Sequence, residues 1–509
     1  YQYWGSMRKY VVAQDYQMLE LENDFLRVAV NADIGGRVWR LHDKLADVDL
    51  ANFNTQVHTY NAGFGLNYTS GGIEVNYPLA HACTTSRPRE VSSAEHADGS
   101  ASITISEYEQ IWRTRWSVTF TLRPDRSSLE MRVRIYNRTP HDSRYMYWSN
   151  CGFALSDASQ YIFPDSAAAM HGAEERVFSW PMWRHRDLSY YREYPGEMLG
   201  LYMLDTSEPF FGYYDHEREF GLVHYADLAD LPGRKHWTWG TDEAQAAMRR
   251  RTHHSSGEVF GEVQAGRITI QEHRDVMPPE SEAEWTEIWY PVRGTGAFNG
   301  AGPGAALRAE LVEGPRGGGP YMKVVAMANG SFPDARIEVT SDGARPVEES
   351  IALDPRQPVE QMVTLRGEAG PERNTTVTLR NADGEVLATS RLRAPNRGDS
   401  WREVIDLSRP LEPVGVEELF AEAQTKARDW GNHDLRPLYE RILTLDPGFS
   451  PARRELGKLA TWQGRYDEAI EHFGIARKRD PDSADLRYFH GVALMLAGRI
   501  EEARKAFEL

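Results

Sequence analysis

Between about Arg8 and Gly304 the chain alternates apolar and polar residues with period two. Phe25-Leu-Arg-Val-Ala-Val, Ala101-Ser-Ile-Thr-Ile-Ser-Glu-Tyr, Ser117-Val-Thr-Phe-Thr-Leu and Leu129-Glu-Met-Arg-Val-Arg-Ile-Tyr each turn one apolar face inward, the pattern of half-buried antiparallel strands. Turn-forming clusters separate them: Asn31-Ala-Asp, Ala97-Asp-Gly, Arg123-Pro-Asp and Asn137-Arg-Thr-Pro. So long a run with few helical patterns predicts two large packed sheets over residues 8–304. The Gly/Pro-rich stretch Gly294–Gly319 predicts a domain boundary, with one strand, Ala305–Val312, inside it. Met322-Lys-Val-Val-Ala-Met-Ala, Ala335-Arg-Ile-Glu-Val-Thr, Gln361-Met-Val-Thr-Leu and Thr375-Thr-Val-Thr-Leu-Arg then predict a small immunoglobulin-like β-sandwich over 305–400. Asn381-Ala-Asp-Gly marks its last hairpin.

From about Gly415 the period becomes helical. Gly457 and Gly491 lie 34 residues apart, as do Gly464 and Gly498, Ala469 and Ala503, Phe473 and Phe507, and Pro447 and Pro481. Five coincident spacings resemble tetratricopeptide repeats, so residues 414–509 are expected to be paired helices. The unit before Pro447 is degenerate, with Trp430 and Leu435 where Gly and Ala recur later. The last residues fall inside the second helix of a repeat. The array is therefore expected to continue past Leu509, or to be covered by a partner or a second copy. A homo-oligomer through the repeats follows as an expectation.

The fold class is thus mainly β with a helical end. Charge narrows the partners. With 58 basic and 75 acidic residues the net charge is −17, which disfavours nucleic acid. No apolar run is long enough for a membrane span, and the first residues lack a secretory leader's layout. Two cysteines, Cys83 and Cys151, are too few for a disulfide framework and fit a cytoplasmic location. No zinc-type spacing occurs, so neither a metal nor a cofactor is expected. Aromatics make up 11% of the chain, with 14 Trp and 24 Tyr, concentrated in the first 300 residues. Large sandwich cores use such residues. So do sugar sites, where a flat ring covers the C–H face of a pyranose.

Leu21-Glu-Asn-Asp-Phe-Leu-Arg-Val-Ala-Val followed by Asp33-Ile-Gly-Gly-Arg-Val-Trp-Arg-Leu resembles the opening strands of the galactose mutarotase-like superfamily. Gly71-Gly-Ile-Glu-Val-Asn-Tyr-Pro, Tyr147-Trp-Ser-Asn, Gly212-Tyr-Tyr-Asp-His, His236-Trp-Thr-Trp-Gly, Gly261-Glu-Val-Gln-Ala-Gly and Trp285-Thr-Glu-Ile-Trp-Tyr-Pro resemble a mutarotase-related bacterial domain of unknown function, often fused to tetratricopeptide repeats. The resemblance implies a β-supersandwich and carbohydrate chemistry.

In that superfamily a late-strand carboxylate is the general base, and Glu262 matches it by order and context. Flanking glycines suggest close approach of a ligand. Glu74 follows two glycines and could reach into a pocket beside Asn76 and Tyr77. The superfamily's acid histidine sits near an N-H-P-type segment. Here Asn76-Tyr-Pro-Leu-Ala-His keeps Asn and Pro but moves the histidine to His81. Further substrate-binding candidates are Trp148, Asn150, Arg184, Asp215, His216, His236 and Trp239. Glu109 and Glu287 are reserves for a second carboxylate, and His253-His254 reads as a loop pair.

Glycosidic cleavage needs two carboxylates, one protonated, and Glu74 with Glu262 supply the pair. Anomeric epimerisation needs one base and one acid, here Glu262 with His81. The leading expectation is a glycoside hydrolase acting on an oligosaccharide or glycoside. The alternatives are an aldose 1-epimerase and a non-catalytic sugar-binding scaffold whose repeats form a partner surface.

Overall fold

The computed structural model describes residues 13–57, 59–63, 66–79, 81, 85, 87–110, 112–194, 196–240, 242–252, 259–271, 273–313, 320–394, 415–428 and 434–508. Cys83, His253 and His254 lie outside them, as do the expected domain edges at 400 and 414.

The period-two segments pair as antiparallel sheets. In Leu129–Asn137 the residues Leu129, Met131, Val133 and Ile135 are buried. Arg132 and Arg134 point outward and pair with Glu284 at 2.7 Å and Glu282 at 2.6 Å on the neighbouring Ser281–Arg293 strand. The first large sheet has eleven strands. Its main path is ordered Met18–Glu22, Leu26–Asn31, Arg37–Asp43, Ile73–Asn76, Trp148–Ala154, Phe260–Gly266, Gly233–Thr238, Leu199–Met203, Ala167–Met170 and Ala173–Ser179. The second, of eight strands, runs Ser159–Ile162, Phe210–Asp215, Phe220–Tyr225, Ser281–Arg293, Leu129–Asn137, Thr114–Leu122, Ala101–Tyr108 and Glu90–Glu95. Between them lies one apolar core, where Ile73, Cys151, Leu201, Val263 and Ala265 of the first sheet meet Val118, Phe120, Val133 and Trp289 of the second. Cys151 is a buried free thiol whose ionisation burial pushes up.

A third sheet of eight strands takes in Gly300–Ala301 and everything from Ala305–Val312 to Val386–Arg391. The Ala305–Val312 strand pairs with Tyr321–Ala328 and so belongs to this sheet, not to a linker. It encloses its own core of Leu307, Val324, Ile337, Val377 and Leu379. The Tyr290 hydroxyl ties the two β units together by donating to the Gly302 and Ala305 carbonyls.

The C-terminal part is helical, with Val416–Arg428, Arg436–Leu445, Ser450–Trp462, Tyr466–Arg479, Ala484–Leu496 and Ile500–Phe507. The repeating glycine has a packing cause: a Cβ on Gly457 would lie 2.7 Å from the Phe473 ring, and one on Gly491 would lie 2.5 Å from Phe507. The helices dock on the sandwich. His141 stacks on Tyr488 at 6.0 Å, and Arg144 donates to the Ala427 carbonyl. No helix among the described residues is long and apolar enough to cross a membrane.

Candidate functional site

Strand parity builds the site. On five neighbouring strands of the first sheet, residues of one parity enter the core, and those of the other parity stand on the opposite face. The register places Glu74 beside Asn150, Asn150 beside Gln264, Gln264 beside Lys235, and Lys235 beside Tyr202. One step along, Gly152, Glu262, Trp237 and Gly200 form a parallel row.

Glu262 is buried, 3% exposed, and takes one hydrogen bond on each available lone-pair direction. Oε1 accepts from the Tyr68 hydroxyl at 2.6 Å and the Trp239 indole at 3.1 Å. Oε2 accepts from the Asn150 amide at 2.9 Å and the Gln264 amide at 3.0 Å. All four donors are neutral. Beyond Gln264, the network continues through Gln271 to Lys235 Nζ, which lies over the Tyr202 and Trp237 rings.

Glu74 is equally buried, but its partners are charged. Arg37 Nη2 and His81 Nδ1 each stand 3.4 Å from Oε2, and Thr85 donates to Oε1. Burial pushes the Glu74 carboxyl up, but Arg37, His81 and Thr85 outweigh it and hold the group below the usual carboxylate range. Arg37 also donates to the Thr69 carbonyl. Gly72 shapes this corner: its φ is +67°, and a Cβ there would lie 1.9 Å from the Val38 carbonyl oxygen.

Tyr68 sits between the two carboxylates. Its ring meets His81 edge-on at 4.8 Å and lies 6.0 Å from Trp239. Burial, with the charges of Glu262 and Glu74, raises its phenol far above the ordinary value. His81 has a left-handed backbone, φ +44°, held by a hydrogen bond from its N–H to Asn76 Oδ1 at 2.8 Å. Its side chain is 29% exposed, and Trp237, Trp239, His171 and Gln271 of the same face are half-buried, so this face opens outward. His171 contacts Tyr202 and Trp237; burial, then Lys235 and His81, push it down to about 3.

A family model matches residues 1–292. The chain belongs to the family described as Domain of unknown function (DUF5107). In this DUF5107 protein, residues 301–389 match the second domain of YphG-like proteins, and 436–509 match a tetratricopeptide repeat. Its fold is similar to that of a TPR-domain containing protein from Parabacteroides distasonis, at 17% identity, over 97% of this chain and 71% of the other, with TM-score 0.51. A galactose mutarotase-like protein from Clostridium acetobutylicum aligns at 8% identity over 56% of this chain and 98% of its own, with TM-score 0.42. The Slr1438 protein from Synechocystis sp. aligns at 12%, over 56% and 99%, also with TM-score 0.42.

The DUF5107 site thus gathers Glu262, Glu74, His81, Asn150 and Trp239, with Asn76 acting through the His81 backbone. Other expected residues lie elsewhere. His236 is one step out of parity and enters the core against Tyr161 and Trp180. Tyr77 is a core residue between Trp116 and Tyr145, its hydroxyl on Thr114. Trp148 is fully buried against Tyr202 and Met146. Asp215 caps a turn by accepting from the Glu217 and Arg218 N–H groups, and His216 binds Gln160; both lie at the second sheet. Arg184 is exposed, over the Trp183 ring. Glu109 accepts from the Trp112 N–H. Glu287, 0% exposed, is bound inside the core by Tyr147, Ser149 and His224. The glycines flanking Glu262 serve packing: a Cβ on Gly261 would meet the Tyr161 hydroxyl at 2.1 Å, and one on Gly266 the Trp148 ring at 2.3 Å. Sequence reasoning missed Tyr68, Arg37, Gln264, Lys235 and His171. Gln264 and Lys235 were within reach of it, being two residues from Glu262 and from Trp237 respectively.

Proposed function

We propose that this face performs aldose 1-epimerase chemistry. Glu262 takes the proton of the hydroxyl on the anomeric carbon. As C1=O forms, the C1–O5 bond breaks, and O5 takes a proton from His81 acting as the acid. After rotation about C1–C2, O5 attacks the other face of C1, His81 recovers its proton, and Glu262 returns the other to O1. Trp237 and Trp239 offer ring faces to the pyranose C–H groups.

The observation that carries this reading is the unequal treatment of the two carboxylates. Glycoside hydrolysis needs one of them protonated. Glu74 is held ionised by Arg37, so it has no proton to give at neutral pH, whereas Glu262 has only neutral donors and a histidine across Tyr68. Hydrolysis therefore ranks second. The full hydrogen-bond complement of Glu262 favours a third reading, in which the sugar binds without reacting.

The test is saturation-transfer NMR between α and β anomers for a panel of aldoses, with oligosaccharides and aryl glycosides alongside. Exchange of at least one aldose should exceed the spontaneous rate. Glu262→Gln should lose roughly a hundredfold or more of that excess, as expected for an acid–base group. Released aglycone or shortened oligosaccharide would establish hydrolysis instead. Binding without exchange would establish the scaffold.

A further inference from the structure

Glu262 cannot accept a proton while four donors fill its four acceptor directions. One must leave. Asn150 and Gln264 sit within strands of the large sheet, and Trp239 directly follows another, Gly233–Thr238. Tyr68 comes from elsewhere: its strand, Leu66–Thr69, pairs among the described residues with Thr59–Gly63 in a separate two-stranded hairpin. It is also the only O–H donor among the four, and its 2.6 Å contact is the one a sugar hydroxyl would make.

We infer that Tyr68 is a positioning residue that covers Glu262 Oε1 and is exchanged for a ligand hydroxyl when the sugar binds. The inference rests on the reading of Glu262 as the base. The Tyr68 side chain is then the removable side of the site, while the sheet holds Oε2 fixed through Asn150 and Gln264. Ligand binding is opposed by the fraction of time Tyr68 is in place. The charged and titratable groups facing the pair are Glu74, Arg37 and His81 behind Tyr68, Cys151 and Tyr161 on the core side of Glu262, and Lys235 beyond Gln271.

The test uses the full chain carrying [13Cδ]-glutamate, with the Glu262 resonance assigned by its loss in Glu262→Gln. Tyr68→Phe removes one hydrogen bond from Oε1, so the Glu262 13Cδ resonance at pH 7 should move from its wild-type position. This reading needs no sugar, so it stands apart from the epimerase assay; an unmoved glutamate resonance overturns the inference even if the wild type epimerises sugars. With an aldose that is turned over, Tyr68→Phe should lower KM several-fold and raise kcat/KM. A hundredfold fall in kcat would instead make Tyr68 a proton carrier and overturn its role as a cover. In the wild type, the [13Cζ]-tyrosine resonance of Tyr68 should move on saturation with that aldose, and an unmoved resonance overturns the exchange. If no sugar is turned over while the glutamate resonance does move, the epimerase reading fails and Tyr68 remains the cover of Glu262.

Discussion

Replacing Arg37 by methionine leaves Glu74 with its charge and without its strongest counter-ion. Both side chains are almost fully buried, at 4% and 2% exposure, so water cannot take over the role of the guanidinium. Breaking one side of a buried ion pair costs about 3–5 kcal/mol, because the remaining charge stays desolvated. His81, also 3.4 Å from Oε2, offsets part of this, which places the expected loss near the lower end, about 3 kcal/mol. At roughly 2–4 °C per kcal/mol for a domain of this size, the melting temperature should fall by about 10 °C at pH 7. The pH dependence has a definite sign. In the wild type the Glu74 carboxyl lies below its unperturbed 4.5, so its contribution is present above that pH and fades as pH falls through the lowered value. In Arg37→Met burial acts with less opposition, the carboxyl moves up, and the variant recovers as Glu74 takes a proton. The gap between the two proteins should therefore shrink from pH 7 to pH 4.5. Tryptophan fluorescence during thermal unfolding at both pH values reads it. The double variant Arg37→Met with Glu74→Gln should regain more than half of the loss at pH 7. A gap equal at both pH values, with no recovery in the double variant, would refute the electrostatic account.

Two further outcomes concern buried groups of the same sandwich. Glu287→Gln should destabilise the sandwich by about 3 kcal/mol, since it turns a buried acceptor of four donors into a part-donor facing Tyr147 and Ser149; thermal unfolding reads this, and anomer exchange measured below the transition should stay intact. His171 should show no imidazole titration between pH 5 and 8, because burial, Lys235 and His81 push it down to about 3; its C2–H resonance, assigned with His171→Asn, would move in that window if the local field were otherwise.

The architecture was legible because period two and period 34 are strong signals. Alternation in Leu129–Asn137 sends every second residue into the core, and Gly457 recurs as Gly491 because each faces a phenylalanine of the next helix. The site was legible only along single strands. Parity within Phe260–Gly266 puts Gln264 beside Glu262, but in His236-Trp-Thr-Trp-Gly the polar histidine drew attention to the wrong face, since Lys235, Trp237 and Trp239 share the outward parity. Contacts between distant segments left no local mark. Tyr68 to Glu262 spans 194 residues, and nothing in the composition around Tyr68 distinguishes it from the many core tyrosines.

Two carboxylates on this sandwich are nearly equal by hydrogen bonding. Glu262 has four neutral donors; Glu287 has Tyr147, Ser149, His224 and, at 3.4 Å, Trp285. Hydrogen-bond satisfaction alone therefore cannot separate a reactive carboxylate from a structural one. What separates them is where the donors are anchored. Tyr147 and Ser149 lie at the start of the Trp148–Ala154 strand of one sheet, while His224 and Trp285 belong to strands of the other, which also carries Glu287, so every donor of Glu287 is anchored in one of the two packed sheets. Glu262 has three donors fixed by one sheet and a fourth on a two-stranded hairpin outside both, beside the partly exposed His81. A carboxylate whose one replaceable donor is a hydroxyl is ready to exchange it for another hydroxyl. This asymmetry makes Glu262, and not Glu287, the group through which a sugar could be both bound and deprotonated.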